Sequence, residues 1–247
     1  MKTLTGKTAL VTGSSKGIGA AIAQHLAAEG AHVIINYARS ADAAQAVLDG
    51  IQVAGGQATI VPADMSSPAG VEALFEQVDQ VLAGHRDILV NNAGFFPLGT
   101  LAESTPEDFE KVVNLNVRGV FLAAREAIKR MDAGGRIINI GSIFGERMPL
   151  AGIGLYTMSK FAVAGFTRAW ARDLGPRKIT VNTVQPGPID TDLNPAEGEF
   201  AEQILPYTAL GRYGQPQEVA SLVGYLASEA AAYITGASLT IDGGTNA

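Results

Sequence analysis

The 247-residue sequence contains no cysteine, and charged residues make up only 17% of it. Without cysteine, the chain has no disulfides, thiolate nucleophiles or cysteine-ligated metals. Its 18 basic residues are scattered and the formal net charge is −6, which disfavours nucleic-acid binding. No apolar run approaches the roughly 18 residues of a membrane span, and the first residues resemble no signal peptide. We therefore expect a cytoplasmic protein with neither nucleic acid nor membrane as a partner.

Hydrophobic residues make up 47% of the chain, and no linker or repeat divides it, so we predict one domain over residues 1–247. Short apolar runs alternate with segments of helical periodicity. The runs cover 8–12, 32–37, 58–62, 87–91, 136–141, 179–184 and 238–241, and the helical segments cover 17–29, 41–54, 68–83, 106–131, 155–174 and 216–228. This alternation predicts an α/β fold, a doubly wound parallel sheet of about seven strands with helices on both faces. Such sheets bind ligands at the carboxyl ends of their strands.

A glycine-rich loop follows the first predicted strand. Gly13 would allow a tight turn, Gly17 a close backbone approach to a pyrophosphate, and Gly19 close packing of helix on strand. The intervening residues include Ser15, Lys16 and Ile18. The spacing differs from the usual G-x-G-x-x-G fingerprint, and a glycine-rich turn without a ligand is the alternative. The position between a strand and a helix favours a nucleotide.

The end of the second strand bears on cofactor choice. No acidic residue stands at 36–38, where one would bind the ribose 2′-hydroxyl of NAD; Tyr37 is followed closely by Arg39 and Ser40. Arg39, with Lys16 and the neighbouring serines, could instead bind a 2′-phosphate. Each cation alone would more often be a solvated surface charge. Together they favour NADP(H), with NAD(H) possible.

Tyr156 and Lys160 lie one turn apart on a predicted helix and therefore share a face. A nearby ammonium would lower the phenol pKa, so that the tyrosine could exchange a proton near neutral pH. The pair alone is a weak signal. Ser142, at the end of the fifth strand, would emerge at the same sheet edge and could hydrogen-bond a substrate carbonyl. Asn116 lies inside the helical segment 106–131, and the sequence does not settle which way it points.

Taken in order, several motifs resemble those of the short-chain dehydrogenase/reductase family. They are TGSSKGIG, the segment Asn91 to Gly94, Asn116, Ser142, YTMSK, Pro186-Gly187 and a terminal LTIDGG. The resemblance implies a Rossmann-type sheet, a nicotinamide cofactor and carbonyl–alcohol interconversion. It also implies that Tyr156 donates the proton, Lys160 lowers its pKa and binds the nicotinamide ribose, Ser142 orients the carbonyl, and Asn116 holds a water.

The resemblance implies cofactor contacts in three further loops. Asp64 and Met65 would contact the adenine, and Asn92, Ala93 and Gly94 would line the adenosine ribose. The nicotinamide end would be held by Pro186, Gly187, Ile189 and Thr191. The segment VQPGPIDTDLNP is similar to a bacterial, ketoacyl-reductase-like branch linked in part to cyclic dinucleotides. A cyclic-dinucleotide sensor or dispersal protein with little turnover is therefore an alternative to the reductase.

The substrate is expected to be a small carbonyl compound or alcohol. Ser142 would contact the substrate, and the wall of the substrate pocket would come from Phe95, Phe96, Ile143, Phe144, Leu150 and Leu193. Ordinary core packing is an equal alternative for each aromatic residue. The Pro- and Gly-interrupted segment 192–208 could form a lid, and Arg147 could select an anionic tail. No metal is expected, because His25, His32 and His85 are scattered. The family resemblance implies a homotetramer built around 106–131 and 155–174.

Overall fold

The computed structural model describes residues 2–82, 86–147 and 150–247. Its seven strands form one parallel sheet in the order β3-β2-β1-β4-β5-β6-β7. The strands are β1 Thr8–Val11, β2 His32–Tyr37, β3 Gln57–Pro62, β4 Arg86–Asn91, β5 Met131–Ile140, β6 Thr180–Pro186 and β7 Ser238–Ile241. The predicted α/β class, strand number and parallel arrangement are confirmed.

Helices cover both faces of the sheet. They are α1 Gly17–Ala28, α2 Ala41–Val53, α3 Pro68–Leu82, α4 Pro106–Val112, α5 Val120–Ala127, α6 Gly154–Leu174, α7 Glu199–Ile204 and α8 Pro216–Ala227. A π-helical stretch, Val113–Gly119, joins α4 to α5. Within the described ranges, no helix combines the length and hydropathy needed to cross a bilayer.

Buried apolar residues alternate between the two faces of the sheet, as a strand's period of two requires. In β1, Ala9 and Val11 pack into a core beneath α1, α2 and α8, whereas Leu10 packs into the opposite core beneath α3, α5 and α6. In β2, Val33 packs into the first of these cores and Ile34 into the second. Because the strands all run parallel, the loops at their carboxyl ends lie together along one side of the sheet.

Most predicted helix ends agree with the structure. The Thr105 hydroxyl accepts a hydrogen bond from the Asp108 backbone N–H in a capping box, and the Ser67 hydroxyl accepts one from Gly70. Gly30 ends α1 with a positive φ of 100°. Gly175 does not act in this way, because its φ is −53° and the left-handed residue is Lys178. A short 3₁₀ turn, Gly175–Arg177, lies between the end of α6 and Lys178.

The prediction of one continuous helix over 106–131 is wrong in two respects. The middle of the segment is π-helical, and a Cβ on Gly119 would lie 2.4 Å from the Met65 carbonyl oxygen, so the helix backbone rests directly on that loop. The helix also ends at Ala127. Met131, expected in the helix, pairs with the first residue of β4 and begins β5. The pairing with β4 therefore outweighs the helical periodicity of the sequence.

Candidate active site

The glycine loop after β1 is held closely against the loop after β4. A Cβ on Gly13 would lie 2.8 Å from the Ala93 Cα, and one on Gly19 would lie 2.4 Å from the Asn92 side-chain nitrogen. Gly13 and Gly17 have φ values of 62° and 54°, a region that favours glycine. These glycines are therefore required by the local geometry whether or not a ligand binds.

Asn92 and Thr12 lock the two loops together. The Asn92 amide donates to the carbonyls of Thr12 and Gly13, each at 3.0 Å. The Thr12 hydroxyl accepts from the backbone N–H groups of Asn92 and Ala93 at 3.0 and 3.1 Å. The sequence analysis did not select Thr12, although a polar residue ending a buried apolar strand is a signal for such a role. Gly94, the next residue, is exposed.

The first turn of α1 suits an anionic group. Its N-cap residue, Lys16, makes no side-chain cap hydrogen bond, and the turn contains no acidic residue. The partial positive charge of the helix end is therefore uncompensated by the chain's own caps. Ile18 packs its side chain toward the core, whereas Ser15 is half-buried and Lys16 is exposed. The loop and helix end thus fit the pyrophosphate of a dinucleotide.

Asn36, which the sequence analysis missed, organises the end of β2. Its side chain accepts from the Gly13 N–H at 3.2 Å and donates to the carbonyls of Val61 and Ala63. Its position inside a continuous apolar run was the available signal. Beyond it, Tyr37 packs partly buried against the core, and Ser40 precedes α2 without a side-chain cap bond.

Arg39 and Asp64 lie on neighbouring loops, and both are exposed. Hydrogen bonds from the Ser66 N–H and hydroxyl hold the Asp64 pKa below its ordinary value, with a smaller contribution from the Arg39 charge. Met65 is buried in the core. The predicted adenine-side residues therefore lie near one another, with Arg39 open to solvent.

The loop after β6 approaches the glycine loop from the other side. A Cβ on Gly17 would lie 3.3 Å from the Thr191 side chain, and Lys16 Nζ lies 4.0 Å from an Asp192 carboxylate oxygen. Pro186 ends β6, and a Cβ on Gly187 would lie 2.6 Å from Asp242. Ile189 is buried. Of the residues predicted for the nicotinamide end, Thr191 thus lies against the glycine loop.

Tyr156, Ser142 and Lys160 come together at the ends of β5 and α6. The phenol shares a hydrogen bond with the Ser142 side chain, and Ser142 also caps the 3₁₀ turn Ile143–Gly145 by accepting from the Phe144 N–H. The Lys160 ammonium lies over the Tyr156 ring, 5.3 Å from its centroid, and donates to the Ile140 carbonyl at 2.7 Å. Lys160 is only 6% exposed.

The predicted lowering of the phenol pKa by Lys160 is wrong for this structure. Burial raises the pKa of Tyr156 to about 12, against a smaller lowering by the hydrogen bond with Ser142. Burial also lowers the pKa of Lys160 to about 8. The ammonium faces the ring and the Ile140 carbonyl, so desolvation dominates the pKa of both groups. At neutral pH the phenol is therefore protonated, the form that a proton donor needs.

The buried lysine should make stability rise with pH. The pKa of Lys160 is about 8 in the folded chain against an ordinary 10.5. Between these values the unfolded chain binds the extra proton, so the free energy of unfolding increases with pH, by about 3 kcal/mol at most. Urea unfolding at pH 7.5 and 9.5 should show the rise in the wild type and a smaller one in Lys160→Met. Equal pH slopes for the two proteins would contradict this. The raised Tyr156 pKa has the opposite effect only above about pH 10. There the folded chain keeps the phenol proton that the unfolded chain loses, so the free energy of unfolding falls as pH rises.

Asn116 points inward, and its amide is almost fully used by the protein. It accepts from the Phe95 N–H at 2.8 Å and donates to the Phe95 carbonyl at 2.9 Å and to the Ser159 hydroxyl at 3.1 Å. Ser159, which the sequence analysis missed, donates in turn to the Tyr156 carbonyl at 2.7 Å. Both amide hydrogens are thus committed, so any water held by this side chain could only donate to its oxygen. Asn116 clamps the loop after β4 to α6.

The predicted substrate residues divide into two groups. Phe96 packs edge-to-face on Tyr156, and Phe144 packs partly buried against Ala201 and Ile204 of the segment 192–208. The Phe95 side chain is 37% exposed and Leu193 is 87% exposed. Within the predicted lid lies α7, which the sequence analysis did not identify because six residues are too few for a clear period.

His25 and His32 lie away from this site. His25 faces Gly224 of α8, and the His32 ring hydrogen-bonds the Thr59 hydroxyl at 2.9 Å. His85 lies outside the described residues. In the part of the chain that the structure describes, no three His, Asp or Glu side chains group closely enough to hold a metal ion.

Comparisons with known proteins identify the family of the chain. The family model described as enoyl-(acyl carrier protein) reductase matches residues 13–246. The chain is 43% identical to the cyclic-di-GMP-binding biofilm dispersal mediator protein of Escherichia coli strain K12, over 98% of each chain. It is 44% identical to the 3-oxoacyl-[acyl-carrier-protein] reductase of Synechocystis sp. strain PCC 6803, over 99% of this chain and 98% of that one.

A solved short-chain dehydrogenase from Burkholderia cenocepacia J2315, in complex with NADP, is 47% identical and covers 99% of this chain and all of its own, with a TM-score of 0.96. Both the sequence and the fold therefore match over essentially the whole chain. The chain belongs to the short-chain dehydrogenase/reductase family and is an NAD(P)-dependent oxidoreductase.

Proposed function

We propose that the protein is an NADPH-dependent carbonyl reductase of the 3-oxoacyl-reductase-like kind, with Tyr156 as the proton donor to a ketone or aldehyde. The observation that carries this proposal is the group formed by the half-buried Tyr156 phenol, the Ser142 hydroxyl and the Lys160 ammonium at the carboxyl end of the sheet. A protein that only binds a nucleotide does not need such a group. The NADP complex of the Burkholderia relative supports the choice of cofactor.

Each residue would have a separate part in the reaction. The bound nicotinamide would supply the hydride. Ser142 would hydrogen-bond the substrate carbonyl and stabilise its developing negative charge. Tyr156 would protonate the forming alkoxide, and Lys160, which lies beside the phenol ring, would bind the nicotinamide ribose. Asn116 would keep the loop after β4 in place through its hydrogen bonds to the Phe95 backbone.

The cofactor would lie along the carboxyl ends of the strands, across the loops after β1, β2, β3, β4 and β6. The predicted contacts are Gly13, Ser15, Lys16, Gly17, Ile18, Gly19, Tyr37, Arg39, Ser40, Asp64, Met65, Asn92, Ala93, Gly94, Tyr156, Lys160, Pro186, Gly187, Ile189 and Thr191. The uncapped first turn of α1 supports a phosphate there. The exposed Arg39 guanidinium is available for a 2′-phosphate.

The comparisons favour the reductase over the cyclic-dinucleotide sensor. One relative is named for binding cyclic-di-GMP, but the others include a 3-oxoacyl-[acyl-carrier-protein] reductase and a probable tetrahydroxynaphthalene reductase. The test is NADPH oxidation against ketones, aldehydes and β-ketoesters, with Tyr156→Phe beside the wild type. Turnover by the wild type alone supports the proposal, and no turnover with any carbonyl contradicts it.

Replacing Arg39 with alanine should raise the KM for NADPH by about tenfold or more and leave the KM for NADH within twofold. A phosphate contact by arginine is charge-assisted and contributes at least about 1.4 kcal/mol, a factor of ten. Steady-state kinetics with both cofactors would measure the change. The matched control is Arg118→Ala, since Arg118 lies in the π-helical stretch. Equal effects of Arg39→Ala on both cofactors would contradict the assignment.

A homotetramer and a lid at 192–208 stay proposals. Phe121 on α5 and Phe161 on α6 are 43% and 49% exposed, which supports contact between copies through these helices. The lid proposal is supported by the apolar contact of Ala201 and Ile204 with Phe144. A cytoplasmic location is likewise a prediction.

A further inference from the structure

Three aromatic rings stand in a row from Tyr156 to the segment 192–208. The Phe96 and Tyr156 rings meet edge-to-face, with centroids 4.7 Å apart and planes at 80°. Phe200, in α7, continues the row, because its ring centroid lies 6.3 Å from that of Phe96 at an interplanar angle of 64°. These are distances at which aromatic pairs attract beyond simple area burial. The proposed lid is therefore joined to Tyr156 by ring contacts.

The other side of α7 is anchored in an apolar cluster. Ala201 and Ile204 are 3% and 2% exposed and pack with Tyr213, and the partly buried residues against them are Phe144, Leu150, Phe200 and Leu205. Phe200 therefore belongs both to this cluster and to the ring row. With one face of α7 fixed, the Phe200 ring has a defined position beside Phe96. Every side chain named in this cluster is uncharged.

A wall of this kind distinguishes planar aromatic groups from saturated ones. An aryl group can extend the row by edge or offset contacts, whereas a saturated ring of the same size gains only from burial of its area. Ser142 and Tyr156, which hydrogen-bond each other, mark the end of the row where a carbonyl would be bound. The row thus leads from the reacting group toward the body of the substrate.

We propose that Phe200, with Phe96, forms an aromatic wall that selects aryl ketones over saturated ketones of similar size, and that Phe200 is a specificity-determining residue. This inference rests on the proposed carbonyl reductase function. Phe200 lies in α7 and would select the substrate by its shape, whereas other residues would transfer the proton.

The test compares 2-tetralone, a ketone fused to an aromatic ring, with its saturated counterpart 2-decalone. In Phe200→Leu, the ratio of kcat/KM for 2-tetralone to that for 2-decalone should fall about five- to tenfold. In Phe200→Tyr, which keeps the ring, the ratio should stay within twofold of the wild type. Phe109→Leu is the matched control, since Phe109 lies in α4 and is 42% exposed. An unchanged ratio in Phe200→Leu, or equal losses for both ketones, would overturn the inference.

Calorimetric binding of 2-naphthol provides a readout that does not need turnover. Phe200→Leu should weaken this binding about fivefold or more, and Phe200→Tyr should not. If the wild type reduces no carbonyl compound of any class, the proposed function fails, and a Phe200-dependent affinity for 2-naphthol still supports the aromatic wall. If the affinity is then independent of Phe200, the wall is refuted as well. Thermal unfolding of each variant shows whether it is folded.

Discussion

Replacing Tyr156 with phenylalanine should lower kcat for ketone reduction by between a hundredfold and ten-thousandfold. A positioned acid contributes rate factors of about this size. The substitution removes only the hydroxyl and its hydrogen bond with Ser142, and it keeps the ring that packs 4.7 Å from Phe96. We therefore expect a folded protein whose KM for NADPH changes less than threefold.

The measurement is NADPH oxidation under single-turnover and steady-state conditions, which separates the chemical step from product release. Tyr225→Phe is the matched control, because Tyr225 lies on α8 and is 45% exposed. It should behave as the wild type. A loss of less than tenfold in Tyr156→Phe would mean that another group donates the proton.

The second large effect is expected at Gly19, where alanine should lower the free energy of unfolding by about 1–3 kcal/mol, the usual cost of overpacking. The added Cβ would lie 2.4 Å from the Asn92 side-chain nitrogen and 2.5 Å from the Gly13 carbonyl oxygen. Separating these groups would break the hydrogen bond between them. Since that bond shapes the loop proposed to hold the pyrophosphate, affinity for NADPH should fall at least tenfold.

Gly165 provides the matched control, because it too is a helical glycine but an added Cβ meets nothing within 4 Å. Gly165→Ala should stabilise the protein by about 0.5–1 kcal/mol through reduced freedom of the unfolded chain. Urea unfolding gives the free energies, and a fluorescence titration gives the NADPH affinity. Similar stability changes at the two positions would show that the loop at Gly13 relaxes easily.

The strands could be predicted closely from the sequence. Strands covered on both faces read as continuous apolar runs, and β2 and β7 begin and end at the predicted residues. β5 was the exception, because its first residues, MDAGG, carry no strand pattern. The pairing of Met131 with the start of β4 depends on the sheet already being in place. Local propensity therefore could not predict it.

The candidate site was predicted as a set of residues but not as a network. The direction of Asn116 depends on the π-helical stretch, which rests on the Met65 carbonyl through Gly119, a contact between distant parts of the chain. The pKa of Tyr156 depends on burial, and residue spacing does not show burial. Ser159 and Phe200 act through neighbours that only packing brings near. Motif spacing predicts which groups would react, whereas tertiary contacts determine how each is held.

The position of β1 inside the sheet, with a neighbour on each side, has a consequence for how the chain folds during synthesis. β1 lies between β2 and β4, and its side chain and backbone at Thr8 bond Asp87, 79 residues later. The ribosome must therefore deliver about a third of the polypeptide before one edge of this strand finds its partner. Non-local pairings of this kind slow folding and leave strand edges open to wrong associations. Chains in which β4 has not yet joined β1 can therefore associate with one another. We accordingly expect the yield of refolded protein to fall as the protein concentration rises.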